Sequence, residues 1–196
     1  MVWRNDQVAE SETKKILFIA RECLAIEGDF VELGCYKGDT SLLLAELLVE
    51  KSVEKPAKKL WIYDSFEGLP MKGEEDASEV GKDFKQGELA TTKREVKVRF
   101  LRAGLPVPVI KKAWFSDLTE KDLPEKIAFA FLDGDLYGSI RDSLRLIDGK
   151  MVAGGVIMVH DYDNPALPGV AKAVDEWSHG KKIEITKCQS LAIMRV

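Results

Sequence analysis

Short apolar runs alternate along the chain with segments in which apolar residues recur at helical spacing. The runs predict strands at 29–33, 60–63, 107–111, 127–132, 156–159, 183–186 and 191–196. The spacing predicts helices at 11–26, 40–50, 92–104 and 139–151, and a further one that begins at Pro168. Because strands and helices alternate, we expect an α/β fold with a doubly wound, mostly parallel sheet of seven strands. The last two strands have no helix between them, so we expect an antiparallel hairpin there.

Capping residues set the expected limits of several elements. Ser11 is the expected N-cap of the first helix, and Gly28 closes it. Thr92 and Glu95 have the spacing of a capping box. Pro108 cannot donate a backbone hydrogen bond, so we expect the third strand to lie at an edge of the sheet.

One domain is expected to account for the whole chain, 1–196. The segment 51–59 is polar and predicts a surface connection. The segment 71–88 is charged, contains glycines and has few apolar residues. We interpret it as a mobile lid over the active site, with Phe66 and Phe84 as its expected anchors.

Composition narrows the class of protein. A net charge of −4 and a pI of about 5.4 argue against a general nucleic-acid binder. No apolar run reaches the roughly 18 residues that a membrane span requires, and the first residues lack the features of a secretion signal. We therefore expect a cytoplasmic protein without nucleic-acid or membrane partners, and the sequence is compatible with a homo-oligomer. The cysteines include no CxxC pair and are expected to be small buried hydrophobic residues: Cys23, Cys35 and Cys188.

The turn after the first strand, 32–38, carries the first candidate chemistry. A dinucleotide fingerprint requires glycine where Tyr36 stands, and no phosphate-binding G-K-[ST] sequence is present. The remaining pattern, an acidic residue at Glu32 followed by Gly34 and Gly38, is the one with which methyltransferases cradle the amino-acid end of S-adenosylmethionine. A plain strand-to-helix turn with two glycines is the alternative.

A carboxylate at the end of the second strand supports the nucleoside interpretation. Asp64 could accept both ribose hydroxyls of a nucleoside bound over the first turn, although an aspartate in this position also commonly caps a turn. Because both signals occur in order, we favour a nucleoside site. Its predicted residues are Glu32, Gly34, Tyr36, Gly38, Thr40, Ser41, Asp64, Ser65 and Asp133.

Carboxylates and a histidine follow the fourth and fifth strands. Asp133, Asp135, His160 and Asp161 should converge at the carboxyl edge of the sheet, where carboxylates suit Mg²⁺ or a similar cation. A metal-bound hydroxyl loses its proton more easily. Alternatively, Asp133 and Asp135 only close an Asp-Gly turn, and His160 is a buried neutral histidine. The second histidine, His179, is explained by C-terminal capping of a helix.

These residues lie in a sequence that resembles the macrocin O-methyltransferase family of class I S-adenosylmethionine-dependent enzymes. The likeness runs from about Phe30 to Trp177. Its most specific pieces are 63–70 and 132–139, and the segments 114–117 and 154–156 are also similar to the family's. It implies a Rossmann-like methyltransferase fold, S-adenosylmethionine as donor, a divalent cation and a hydroxyl acceptor. It also implies that Asp64 holds ribose, that Ser116 and Asp117 lie beside adenine, and that Asp133 and Asp161 help to hold the metal.

One departure from the family pattern leaves the chemistry open. The family has Asp-Asp-Tyr after the fifth strand, whereas this chain has His160, Asp161 and Tyr162. One hypothesis is O-methylation of a small-molecule or glycan hydroxyl, with Asp133 and His160 as catalytic groups and Asp133, His160 and Asp161 as metal ligands. The second is metal-independent N-methylation of an amino sugar with His160 as the base. The third is a non-catalytic nucleoside-binding module. Characterised members of the family methylate sugar hydroxyls on macrolide antibiotics and have a longer N-terminal extension than this chain. Their macrolide-sugar substrate is therefore not carried over to it.

Overall fold

A seven-stranded sheet with helices on both faces forms the protein in the computed structural model, which describes residues 7–50, 58–81 and 84–196. The strands are β1 Asp29–Leu33, β2 Leu60–Asp64, β3 Val109–Lys112, β4 Ile127–Leu132, β5 Met151–Val159, β6 Ile185–Cys188 and β7 Leu191–Arg195. The helices are α1 Glu10–Glu22, α2 Asp39–Glu50, α3 Lys93–Ala103, α4 Tyr137–Ile147 and α5 Pro168–Lys181. None of the described helices has the length and apolar character needed to cross a bilayer.

The strands lie in the order β3-β2-β1-β4-β5-β7-β6. The first five form parallel pairs, whereas β7 is antiparallel to both β5 and β6. The predicted mostly parallel sheet and its antiparallel C-terminal hairpin are therefore confirmed. The chain order reverses between β1 and β4, and at such a point the loops after adjacent strands diverge and leave a crevice for a ligand.

Two apolar layers enclose the sheet. Phe30 of β1 faces a layer that includes Ile16 of α1 and Leu42 of α2. The next residue, Val31, faces the opposite layer, to which Ile140 of α4 and others from α5 contribute. All six residues of β4 are buried, as a central strand covered on both faces requires. The strand ends are consequently held rigidly at the site.

The first helix begins at Glu10, and its N-cap lies two residues before the predicted one. The N-cap is Ala9, not Ser11, and it has no side-chain acceptor to offer. Glu12 takes over part of the capping, because its Oε2 accepts the backbone N–H of Ala9 at 3.3 Å. The helix ends at Glu22 and continues as a 3-10 turn to Ala25, which still precedes Gly28.

Other limits also differ from the sequence predictions. Helix α4 begins at Tyr137 and ends at Ile147, and Met151 belongs to β5, which extends well before the predicted 156–159. Strand β6 begins at Ile185 instead of residue 183. Pro108 precedes β3, which begins at Val109 and does lie at the sheet edge. The capping box is present, with Thr92 accepting the N–H of Glu95 at 3.1 Å.

The predicted lid, 71–88, is anchored through polar groups as well as aromatic ones; Lys82 and Asp83 lie outside the described residues. Asp76 is buried at the end of a short 3-10 helix, Glu74–Asp76, and its Oδ1 accepts the backbone N–H of Tyr137 at 2.7 Å. Ser78 donates to the carbonyl of Pro165 at 2.8 Å. Phe84 is partly buried against the layer of α4 and α5. The predicted connection 51–59 lies outside the described residues up to residue 57, as does the N-terminal segment 1–6.

Candidate active site at the carboxyl ends of the strands

A cavity of about 590 Å³ opens where β1, β2, β4 and β5 end. Most of the predicted site residues lie on its wall: Glu32, Gly34, Tyr36, Thr40, Asp64, Ser65, Ser116, Asp133, His160 and Asp161. Three others do not belong to the described lining: Gly38, Ser41 and Asp117. The sheet topology therefore brings the two predicted groups, the nucleoside residues and the acidic cluster, to one cavity.

The first turn is tight because two strands meet behind it. Gly34 has a φ of +92°, and a Cβ at this position would lie 1.9 Å from the backbone oxygen of Asp133. Glycine is thus required here by the neighbouring strand, in addition to any approach of a ligand. Gly38 closes the turn, since its N–H donates to the carbonyl of Cys35 at 2.7 Å.

Asp64 organises this turn from the end of β2. Its Oδ2 accepts the N–H of Cys35 at 2.9 Å and that of Tyr36 at 3.1 Å, and its Oδ1 accepts the N–H of Phe66 at 2.7 Å. An ionised carboxylate has about four acceptor positions, so roughly one is left for the cavity. The carboxylate does cap a turn, and it retains capacity for one ribose hydroxyl, where the sequence suggested two.

Glu32 is buried beneath the turn. Ser41 donates a hydrogen bond to its Oε2, which explains why Ser41 lies behind Glu32 instead of on the cavity wall. Burial raises the pKa of Glu32 to about 8. A cationic ligand in the cavity would favour the charged form of this carboxyl.

The segment that follows β3, which the family resemblance assigns to adenine, also reaches the cavity. Ser116 reaches the cavity wall, together with Trp114 and Phe115. Asp117 is exposed. Its Oδ1 accepts a hydrogen bond from the Ser116 hydroxyl at 3.4 Å. The aromatic pair after β3 was not predicted as part of the site.

The acidic cluster surrounds one imidazole. His160 is buried, and its Nδ1 lies 3.0 Å from Asp133 Oδ1 and 3.1 Å from Asp161 Oδ2. On the other side of the ring, Nε2 lies 3.5 Å from Oε2 of Glu12. Asp135 lines the cavity beside the cluster but does not join these contacts. The structure thus places His160 between three carboxylates.

These carboxylates control the charge of the ring. Burial alone would lower the pKa of His160, but the charges of Asp133 and Asp161 and their hydrogen bonds raise it to about 12. Burial would raise the pKa of Asp161, but the hydrogen bond and charge of His160 lower it. Burial and the charges of Asp133 and Asp161 hold the pKa of Asp135 well above its ordinary value. The carboxylates of Asp133 and Asp161 therefore favour the charged form of the ring, which has no lone pair for a base.

The cluster also fits a divalent cation. One ligand atom from each of Asp133, His160 and Asp161 falls within 4.8 Å of the others. Carboxylate and imidazole together suit several divalent metals, provided that the imidazole gives up its proton on binding. A bound cation would then take the place of the proton on the His160 ring as the positive charge between Asp133 and Asp161.

Strained backbone surrounds this cavity. Tyr36, Asp135 and Asp161 have φ values of 47°, 60° and 59°, in the left-handed region that non-glycine residues seldom occupy. Each costs on the order of 1 kcal/mol, and such conformations concentrate at functional sites. These three residues follow separate strands, and all of them line the cavity.

A family assignment agrees with this geometry. The sequence profile of the Macrocin-O-methyltransferase family matches residues 16–192, which is most of the chain. The chain belongs to this family.

Known O-methyltransferases resemble the chain over part of their own length. An 8-demethyl-8-(2,3-dimethoxy-alpha-L-rhamnosyl)-tetracenomycin-C 4'-O-methyltransferase of Streptomyces olivaceus is 31% identical over 70% of this chain and 54% of its own. A demethyldecarbamoylnovobiocin O-methyltransferase of Streptomyces niveus is 29% identical over 78% of this chain and 58% of its own. The chain therefore spans little more than half the length of these relatives.

Solved structures confirm the fold. The O-methyltransferase NovP superimposes with a TM-score of 0.80 at 26% identity, over 94% of this chain and 78% of its own. The calicheamicin methyltransferase CalS11 gives a TM-score of 0.81 at 20% identity, over 98% of this chain and 80% of its own. The Rossmann-like class I methyltransferase fold predicted from the sequence is confirmed.

Proposed function

We propose that the protein is an S-adenosylmethionine-dependent O-methyltransferase that acts on a hydroxyl of a small molecule or a sugar. The observation that carries this proposal is a single cavity with a nucleoside wall, at Gly34 and Asp64, and the Asp133–His160–Asp161 cluster opposite. The family assignment supports the reaction class, and the relatives named above are O-methyltransferases.

The donor is proposed to lie across the first turn. Its amino-acid end rests near Glu32 and Gly34, its ribose donates to the remaining acceptor position of Asp64, and its adenine lies near Ser116. This placement directs the sulfonium methyl group towards Asp133 and His160. Alignment of an acceptor oxygen behind that methyl group is a large part of what such an enzyme can supply.

A divalent cation is part of the proposal, with Asp133, Asp161 and His160 as the residues that would hold it. When bound, the cation would lower the pKa of the acceptor hydroxyl. The carboxylates of Asp133 and Asp161 would orient the hydroxyl and accept its hydrogen bond.

N-methylation with His160 as the base has less support from this geometry. A base needs a neutral imidazole, whereas Asp133 and Asp161 stabilise the charged ring. A non-catalytic nucleoside-binding module would not require the cluster at all. Cytoplasmic location, homo-oligomer formation and the lack of nucleic-acid or membrane partners stay predictions from the sequence.

Transfer of a labelled methyl group from S-adenosylmethionine to a panel of sugar hydroxyls and amino sugars tests the function. We expect transfer to hydroxyls, loss of turnover in EDTA, and nearly unchanged donor affinity. Asp161→Asn should lower turnover far more than donor affinity, whereas Asp163→Asn, at an exposed neighbouring ion pair with Lys187, should change neither.

The other hypotheses predict different results in the same assay. Full activity in exhaustively chelated enzyme would contradict the proposed requirement for a divalent cation. Methylation of amines alone, with a rate that falls as the pH is lowered, would favour His160 as a base. Donor binding without transfer to any acceptor would favour the non-catalytic module.

A further inference from the structure

A buried carboxylate from the N-terminal helix reaches the cluster from behind. Glu12 lies in the first turn of α1 and is only 6% exposed. It lies outside the described lining of the cavity, so it has no direct route to a donor or an acceptor. Its Oε2 faces Nε2 of His160 at 3.5 Å, on the side of the ring away from Asp133 and Asp161.

Three hydrogen-bond donors fix the position of the Glu12 carboxylate, which approaches His160 as an ion-pair partner. Oε1 accepts the backbone N–H of Ser190 at 2.9 Å and the Ser190 hydroxyl at 2.5 Å. Oε2 accepts the backbone N–H of Ala9 at 3.3 Å. Ser190 lies in the turn between β6 and β7, and its carbonyl accepts the N–H of Tyr162 at 2.7 Å. The same turn therefore holds both Glu12 and the segment that carries His160.

We propose that Glu12 is a positioning residue that holds Nε2 of His160, so that Nδ1 is the nitrogen presented to Asp133 and Asp161. A histidine ring has two unequal nitrogens, and a carboxylate behind one of them keeps the proton there and fixes the orientation of the ring. This inference rests on the proposed function of the cluster. The inference is the same whether Nδ1 contacts the carboxylates or a cation, because Glu12 determines only which ring nitrogen faces the cluster.

The chain offers a spectroscopic test that does not depend on activity. His160 and His179 are its two histidines, and His179 is exposed, so it serves as an internal reference in imidazole NMR spectra. In the wild-type protein we expect Nε2 of His160 to carry a proton that exchanges slowly with water. In Glu12→Ala and Glu12→Gln this proton should exchange faster and the ring signals should shift, while those of His179 stay in place.

Kinetics should separate positioning from binding. Loss of a group that orients a site residue typically costs about 10–100-fold in activity. We expect this loss in kcat for both Glu12 variants, with the dissociation constant of S-adenosylhomocysteine changed less than about twofold. Glu12→Gln retains the size of the side chain and part of its hydrogen bonding, which guards against loss of the fold.

Ser11→Ala provides the matched control. The Ser11 hydroxyl accepts from Nε2 of Gln189 at 2.7 Å, so it joins α1 to the same turn without contacting His160. The control should leave both the His160 signals and kcat unchanged. Unchanged His160 signals in both Glu12 variants, or an equal effect of Ser11→Ala, would overturn the proposal. If the wild-type protein transferred no methyl group, the proposed function would fail, while the NMR result would still decide the role of Glu12.

Discussion

Asp64 shows how a single side chain can shape the turn and serve the ligand. Its carboxylate accepts three backbone N–H groups from two segments, at Cys35, Tyr36 and Phe66. These bonds pull the end of β2 against the turn after β1. The shape of the nucleoside wall therefore depends on the same charge that is proposed to receive the ribose.

Removal of this carboxylate should weaken donor binding. Loss of a hydrogen bond to a charged group costs about 1.5–3 kcal/mol, so Asp64→Ala should bind S-adenosylhomocysteine roughly 10- to 100-fold less tightly. Calorimetric titration measures the change. The control is Glu67→Ala, which removes a carboxylate from the loop after Asp64 that forms an exposed ion pair with Lys112. This variant should bind S-adenosylhomocysteine as tightly as the wild type does. Equal affinities for Asp64→Ala and the wild type would show that Asp64 only caps the turn.

Glu32 makes the stability of the ligand-free protein depend on pH. Its pKa is raised from 4.5 to about 8 by burial. A raised folded-state pKa contributes stability that is complete below the unfolded value and is lost as the pH rises through about 8. Between about pH 7 and 9 the wild type should lose about 1.4 kcal/mol from this group, which corresponds to about 3–6 °C in Tm.

Thermal melts of Glu32→Gln test this dependence. The amide can still accept from Ser41 but cannot ionise, so the variant should lack that part of the decline. Glu27→Gln changes an exposed ion pair with Lys126 and should retain the decline of the wild type. Parallel curves for Glu32→Gln and the wild type would mean that Glu32 is already ionised at pH 7.

At the scale of elements, the lid is connected to two helices by one carboxylate. Asp76 caps the first turn of α4, and a Cβ at Gly169 in α5 would lie 2.0 Å from its Oδ1. Glycine at this position therefore allows α5 to approach the lid. In the described part of 71–88, Met71 and Val80 are exposed, so we expect these polar anchors to decide whether the segment stays closed.

Limited proteolysis tests the lid. In the wild type, S-adenosylhomocysteine should slow cleavage within 71–88, because a ligand in the cavity stabilises the closed segment. Asp76→Ala should be cleaved faster than the wild type with or without ligand. Glu74→Ala, on the exposed side of the same 3-10 turn, should behave as the wild type. Cleavage rates that do not respond to the ligand or to Asp76 would exclude a ligand-gated lid.

The elements were predictable where their signal is local. The buried run of β4 and the capping box at Thr92 were identified because periodicity and spacing record them directly. The start of α1 was not, since Ala9 has no capping side chain and the compensating acceptor, Glu12, is also used by Ser190 at the far end of the chain. Asp76 and Glu12 carry no motif, because their partners are distant in sequence and only the fold brings them together.

For the whole molecule, the strand order explains why the candidate site could be predicted. Carboxyl ends of parallel strands lie at one edge, so residues after β1, β2, β4 and β5 converge without any contact being known. The convergence is observed for Gly34, Asp64, Asp133 and His160. The surroundings of His160 were only partly predictable, because one of the three carboxylates within 3.5 Å of its ring comes from α1.

Titration of the purified protein with S-adenosylmethionine, S-adenosylhomocysteine and NAD tests the central claim most directly. Tyr36 stands where a dinucleotide site needs glycine, and the cavity pairs a nucleoside wall with an acidic cluster suited to a cationic donor. Isothermal calorimetry should show one site for each sulfur nucleoside and no heat of binding for NAD. Tight binding of NAD, with no signal from either sulfur nucleoside, would contradict the account.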